Sequence, residues 1–209
     1  MAVHYQPKAG NAQVFENKYL EILSKAPAFV AYTIYPAVAL LILAVNATYK
    51  PLGANGEISI SAMIYTFVGA YLFWSFFEYI MHRWVFHFVS TNKVIQKIIH
   101  GAHGVHHEYP KDTNRLIMPP LPWFITVSML LGLCYLFMGD YAFSFISGLL
   151  FGYLSYIFVH YQVHLNKPPK FLRKMMVHHA LHHYKYDDLA FGVSSTLWDR
   201  IFRTMPPKS

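Results

Sequence analysis

A single cysteine, Cys134, stands in a chain of 209 residues, so no internal disulfide can form. Structural zinc sites usually draw on cysteine, and that route is closed as well. The lone thiol lies in an apolar run, where an inert core role is expected. Charge is equally scarce at 13% of residues, against 55% hydrophobic and 18% aromatic, a balance that points to a membrane protein and not a soluble one. No short apolar stretch with a small-residue cleavage site opens the chain, so no removable signal peptide is expected. The formal charge of +7 comes without a basic patch or nucleic-acid-binding motif, which excludes nucleic acid as a partner. The cations flank apolar blocks, and anionic lipid headgroups suit them better.

Those blocks set the architecture. Residues 1–27 form a polar arm, cytosolic or interfacial, in which residues 12–24 could be a helix lying on the membrane or packed on the protein. Val14, Phe15, Tyr19, Ile22 and Leu23 would share one side of it. Four spans are expected at about 28–49, 58–81, 122–138 and 141–159, with a kink at Pro36 and a turn over Lys50-Pro-Leu-Gly-Ala-Asn-Gly56. The short Gly139-Asp140 link makes spans three and four antiparallel neighbours. Sixteen of the seventeen lysines and arginines fall on one side of this topology, which the positive-inside rule makes cytosolic. The fold class is therefore all-α, a four-helix transmembrane bundle capped by a cytosolic helical domain.

Histidine is what the chain has in excess. Twelve of thirteen lie between His82 and His183, and ten of these fall into four groups on the cytosolic side. The groups are His82-Arg-Trp-Val-Phe-His87, His103-Gly-Val-His-His107, His160-Tyr-Gln-Val-His164 and His179-Ala-Leu-His-His183. Helical spacing aims the three imidazoles of the second and fourth groups the same way, and likewise the two of the third. His82 and His87, five apart, diverge on an α-helix and need a helix end or a local bulge to converge. Gly101 and Gly104 would allow close approach around His103. Ten imidazoles are too many for one ion and suit two, so these groups predict a dinuclear metal site.

All-imidazole ligation suits iron, copper or zinc. An iron pair can activate O2 by cycling its valence, and a centre at the edge of a lipid-embedded bundle suggests oxidation of a lipid. Glu78 is the one charge of the second span, a turn before His82, and is expected to orient His82 through its other ring nitrogen or to pair with Arg83 or Lys97. Lys167, Lys170, Arg173 and Lys174 would form a docking face for an acidic electron donor.

Three segments carry a resemblance to a known family. They are Phe76-Phe-Glu-Tyr-Ile-Met-His-Arg-Trp-Val-Phe-His87; the second histidine group with Tyr109-Pro110 and Arg115-Leu-Ile-Met-Pro-Pro120; and Phe191-Gly-Val-Ser-Ser-Thr-Leu-Trp-Asp199. Over roughly residues 70–205, the chain resembles the fatty acid hydroxylase superfamily, which includes sterol desaturase-like enzymes, and most of all its sphingolipid fatty acid 2-hydroxylases. The resemblance implies a hydroxylase domain over 28–205 that uses two iron ions, O2 and an electron donor, with zinc as an inactive substitute after purification. The ligands it implies are His82, His87, His103, His106, His107, His160, His164, His179, His182 and His183. Glu78 and Tyr156 are the candidate catalytic residues. Relatives carry Tyr-Asp before the third group, where this chain has Tyr156-Ile157.

No His-Pro-Gly-Gly haem motif is present, so reductant must come from a separate protein of cytochrome b5 or ferredoxin type. His100 and His178 exceed the family's ligand number and are expected to support a ligand from behind or to face solvent. Trp198 and Asp199 either close the site or anchor the tail. The expected reaction is hydroxylation at C2 of a fatty acyl chain, free or in a sphingolipid, with the segment from Tyr109 to Arg115 holding the carbonyl or headgroup. Competing readings are a desaturase, a sterol or carotenoid hydroxylase, or a non-catalytic metal-binding membrane protein. The expected location is the inner membrane of a bacterium or the endoplasmic reticulum of a eukaryote.

Overall fold

The computed structural model describes residues 5–48 and 59–207, which are helical with no strand among them. His4 and the turn expected over Lys50 to Gly56 lie outside the described residues. The arm is mostly irregular, with one short helix, α1 (Lys18–Leu23), where Asn17 accepts the amides of Tyr19 and Leu20. That is less helix than residues 12–24 could have formed. The arm is nonetheless packed on the protein through polar ties, while Val14, Phe15, Tyr19, Ile22 and Leu23 stay exposed.

Among the described residues, four helices are long and apolar enough to cross a membrane, marking an integral membrane protein. They are α2 (Ala28–Thr48), α3 (Ile60–Ile80), α6 (Pro120–Met138) and α7 (Tyr141–His164). Between the second and third of these lie α4 (Lys93–Ile99) and α5 (Val105–Glu108). After the fourth come α8 (Arg173–Tyr184) and α9 (Leu197–Ile201). Proline starts α6, where its missing amide costs nothing, and Gly139 ends it with φ of +56°, a conformation that side chains disfavour. The last span runs five residues further than hydropathy suggests, because α7 continues unbroken through His160 and His164.

Helix α7 is the central pillar. Half of its span is buried, whereas the other three show most of their surface to the surroundings, as lipid-facing helices can. Two glycines explain how closely α3 lies against it. A Cβ at Gly148 would strike the carbonyl of Phe67, and one at Gly152 would strike the Trp74 side chain. Polar ties fix the remaining spans: Ser147 Oγ donates to the Ala39 carbonyl at 3.0 Å, and Asn46 links Ser144 to the Asp140 carbonyl. Tyr35 stacks on Trp123 at 4.0 Å and donates to the Met118 carbonyl at 2.7 Å. The bundle thereby holds the ends of α3 and α7 side by side, with the histidine segments above them.

Candidate metal centre

The ten grouped histidines converge, and they divide into two sets of five. His82, His87, His103, His107 and His182 form the first, and His106, His160, His164, His179 and His183 the second; within each, the ligand atoms lie within 4.8 Å of one another. All are buried except the half-buried His87. The second and fourth sequence groups do not aim three imidazoles one way. The i and i+4 members, His103 with His107 and His179 with His183, stay together, while His106 and His182 each cross to the other set. Of a helix end and a bulge, the chain uses the bulge: α3 continues as a π-helical segment over Met81–Phe86, and the His87 amide bonds the His82 carbonyl at 3.2 Å. This i to i+5 turn brings the two rings to 5.0 Å. A second π-helical segment, His100–Gly104, carries His103 inward.

Nitrogen spacing tests whether a metal fits. Two imidazole nitrogens about 2.1 Å from one ion and at right angles lie about 3.0 Å apart. In the first set, Nε2 of His103 lies 3.0 Å from that of His82 and 2.9 Å from that of His107, and His182 lies 3.1 Å from His87. In the second, the His106–His160, His160–His164, His164–His179 and His179–His183 distances are 3.1, 3.2, 2.9 and 3.0 Å. Backbone acceptors fix several tautomers. Nδ1 of His82 lies 2.5 Å from the Phe191 carbonyl, that of His182 2.7 Å from Leu189, and that of His160 3.1 Å from Leu116. Nδ1 must donate there, which leaves Nε2 a bare lone pair. Lone pairs gathered this closely repel unless a cation lies among them, so the donor set fits a metal in each position.

Protonation would defeat that arrangement, and the surroundings resist it. Burial first, and neighbouring imidazoles second, push His103, His106, His107, His179 and His183 well below the usual 6.5, and His182 likewise. His87 is lowered to about 2, by burial and then by His82. These rings are neutral at pH 7 and available as ligands.

Glu78 does not touch His82, nor does it pair with Arg83 or Lys97. Its Oε1 accepts the amides of Val193 and Ser194 at 2.8 and 2.9 Å, and its Oε2 accepts the Ser194 hydroxyl. Helical position alone suggested His82, but a loop more than a hundred residues away offers the carboxylate three donors. Asp199 does the same for the adjoining amides, accepting from Phe191 at 2.9 Å and Gly192 at 2.8 Å, and also from His178 and Thr204. Burial would raise the Asp199 carboxyl, but His178, Thr204 and the Gly192 amide outweigh it and hold it low.

Tyr156 stacks on His160 at 5.1 Å with its hydroxyl 3.3 Å from Nδ1, so it borders the second set. His100 and His178 sit outside both sets, on Glu108 and Asp199. Trp198 is an anchor, packed on Phe76 at 4.7 Å and donating to Ser75. Arg115 cannot hold a headgroup, since its buried guanidinium binds Glu21, Ser24 and the Ala12 carbonyl and staples the arm down. The arm contributes a residue that no sequence signal marks. Tyr5 lies 5.9 Å from His107 and 5.8 Å from His100, over Gly104, where a Cβ would meet its hydroxyl at 2.6 Å. Gly101 has open space beside it.

The family model described as fatty acid hydroxylase matches residues 67–204, which contain every grouped histidine. A mouse protein named fatty acid 2-hydroxylase is 35% identical over 157 residues, covering 71% of this chain and 41% of its own length. The Arabidopsis thaliana dihydroceramide fatty acyl 2-hydroxylase FAH2 is 30% identical over 199 residues, covering 92% and 79%. Among solved structures, full-length scs7p, with only its hydroxylase domain visible, superposes with a TM-score of 0.81 at 31% identity, covering 95% of this chain and 73% of that one. The chain thus spans about two fifths of the mouse relative it matches.

Proposed function

The chain belongs to the fatty acid hydroxylase family, and on that premise we propose that it hydroxylates C2 of a fatty acyl chain, free or in a sphingolipid. The observation that carries the proposal is the pair of five-nitrogen sets at one end of four apolar spans. The reaction inserts one oxygen atom of O2 into a C–H bond and reduces the other to water, consuming two electrons and two protons. In this reading the ten histidines hold two iron ions, and zinc would occupy the site without supporting turnover. Iron supplies the valence change that O2 activation requires.

The chain's own groups do the rest. The backbone carbonyls of Phe191, Leu189 and Leu116 hold three of the rings in the ligating tautomer. Tyr156 borders the second set from the membrane side and is the candidate for contact with substrate, its hydroxyl 3.3 Å from His160. Ile157, fully buried, offers no acid beside it. Glu78 is spent on residues 193 and 194, which argues against a transport role needing a free ionisable group within the spans.

Because His82 lies just past α3 and His160 near the end of α7, the acyl carbons nearest them are those beside the polar head, while the tail stays among the spans or in the lipid. Threading about ten carbons past the ligands to reach mid-chain would cost rotamer freedom at each bond. The remaining assignments belong to the same proposal. Residues 1–27 are an arm and 28–205 the hydroxylase domain; both ends and the histidine sets face the cytosol; electrons come from a separate cytochrome b5- or ferredoxin-type protein. Mass spectrometry of acyl chains from expressing cells tests the regiochemistry. New 2-hydroxy species, lost in His106→Ala, are the expected result. Mid-chain hydroxyls or new double bonds would overturn the C2 assignment.

A further inference from the structure

We propose that Glu78 and Asp199 are positioning residues for the first nitrogen set alone, acting through the loop of residues 189–194. The inference rests on the reading of the two sets as two metal positions.

The loop is built from both ends by carboxylates. Four successive amides, those of Phe191, Gly192, Val193 and Ser194, are taken up in pairs, the first two by Asp199 and the last two by Glu78. Glu78 is 5% exposed and Asp199 not at all, so neither carboxylate can exchange these donors for solvent. The loop wraps tightly about Asp199: a Cβ at Gly192 would meet Asp199 Oδ2 at 2.7 Å and collide with the Ser195 carbonyl. The Phe191 carbonyl lies opposite the Gly192 amide that Asp199 holds, and the Leu189 carbonyl opposite the Ala190 amide, held at 2.8 Å by the carbonyl of Thr204, whose hydroxyl donates to Asp199. Leu189 receives Nδ1 of His182, and Phe191 receives Nδ1 of His82. Both rings belong to the first set. The Phe191 ring completes the contact, lying 5.7, 5.4 and 5.5 Å from His82, His87 and His182, again all of the first set.

The second set is served from elsewhere. His160 gives Nδ1 to the Leu116 carbonyl, in a segment bound to span one through Tyr35 and Met118 and to the arm through Arg115. Loosening residues 189–194 therefore frees the rings of one position and leaves the acceptor of the other in place. A carbonyl behind a ligating imidazole fixes its tautomer and orientation and raises its basicity, and losing such a partner typically weakens metal binding about 10- to 100-fold.

The test titrates zinc, as the probe, into metal-free full-length protein in detergent, with bound metal counted by elemental analysis. Wild type should take up two zinc ions per chain in two steps. Glu78→Ala and Asp199→Ala should each weaken one step about 10- to 100-fold and leave the other where it was. Glu78→Gln should restore that step, because its amide oxygen still accepts both backbone amides and its nitrogen can donate to Ser194. If an alanine variant does not fold, Asp199→Asn keeps the shape, removes one acceptor and should show the same selective loss. Paired substitutions assign the step: Glu78→Ala with His106→Ala should weaken both, and Glu78→Ala with His87→Ala should leave one at its wild-type affinity. Equal weakening of both steps, or of neither, overturns the inference while the two-metal reading stands. Fewer than two zinc ions in wild type overturns the two-metal reading, and the inference with it.

Discussion

The ring of His107 stacks on that of His183 with centroids 4.2 Å apart and planes inclined by 25°, and the two belong to different nitrogen sets. His106 and His107, adjacent in sequence, likewise face different sets. The wall between the two positions is imidazole on both sides. Each set is nonetheless complete in itself, so a ligand can be removed from either one.

His106→Ala and His182→Ala remove one nitrogen from the second and first sets respectively. Each should lower metal content and reduce hydroxylation at least about 100-fold, while the chain still inserts into membranes. Elemental analysis beside a membrane-fraction assay checks this. Full metal content in both variants would contradict the assignment of these residues as ligands.

Acid should destabilise the metal-free fold in a predictable window. The buried rings are neutral when folded, His87 with its value lowered to about 2, whereas the unfolded chain gains protons below about 6.5. Between those limits the unfolded state binds more protons, so stability falls as pH falls. Metal loss runs in the same direction, because only neutral imidazole is a ligand. Thermal unfolding in detergent should show the melting temperature dropping steadily from pH 6.5 to 4, with metal-loaded protein resisting further down. A flat profile over that range would refute the neutral-ring reading.

Arg115→Ala should release the arm. The ion pair with Glu21 measures 2.5 Å, with side chains 6% and 14% exposed, and removing one partner of such a pair costs about 3 kcal/mol. Burial opposes ionisation of Glu21, but Lys25, the amides of Phe15 and Val14, and Arg115 outweigh it and lower its pKa to about 2. The staple's contribution is thus present above about 4.5 and is lost as pH falls toward 2. Limited proteolysis at neutral pH should find residues 8–25 cut far faster in the variant, and an unchanged rate would mean the arm is held otherwise.

Turnover should require a second protein. Reduced nicotinamide alone should yield no product, and a cytochrome b5 or ferredoxin with its reductase should restore activity. Lys167, Lys170, Arg173 and Lys174 are all exposed, so the rate should fall with salt and fall further in Lys170→Glu with Lys174→Glu. Product formation by the isolated chain with nicotinamide would sink the idea.

The spans and the histidine positions were legible because each rests on local pattern: apolar length for a helix that crosses lipid, and i, i+3, i+4 spacing for rings on one side. Even the break between His82 and His87 could be read, since positions five apart point about 140° away from each other on an α-helix. What could not be read depends on residues far apart in the chain. Glu78 meets Val193 across 115 positions, and nothing near it marks that partner. Arg115 looked like a free cation in a polar segment, yet it is consumed by Glu21, 94 residues earlier. The division of each triplet between two sets was hidden for a related reason. Helical spacing tells which rings are neighbours, but only the arrival of α7 and α8 decides which nitrogens they join.

The π-helical segment over Met81–Phe86 makes the centre sensitive to residue number as well as residue type. Nothing about Trp84 or Val85 need be particular for His82 and His87 to meet, provided that four residues stand between them. Inserting one would carry His87 past the end of that turn and rotate it, with everything after it, by about 100°. The bundle below would be undisturbed, because the change falls where α3 leaves the packed spans. Such a chain would insert and fold with His87 facing away from its four companions, a lesion that no single substitution reproduces.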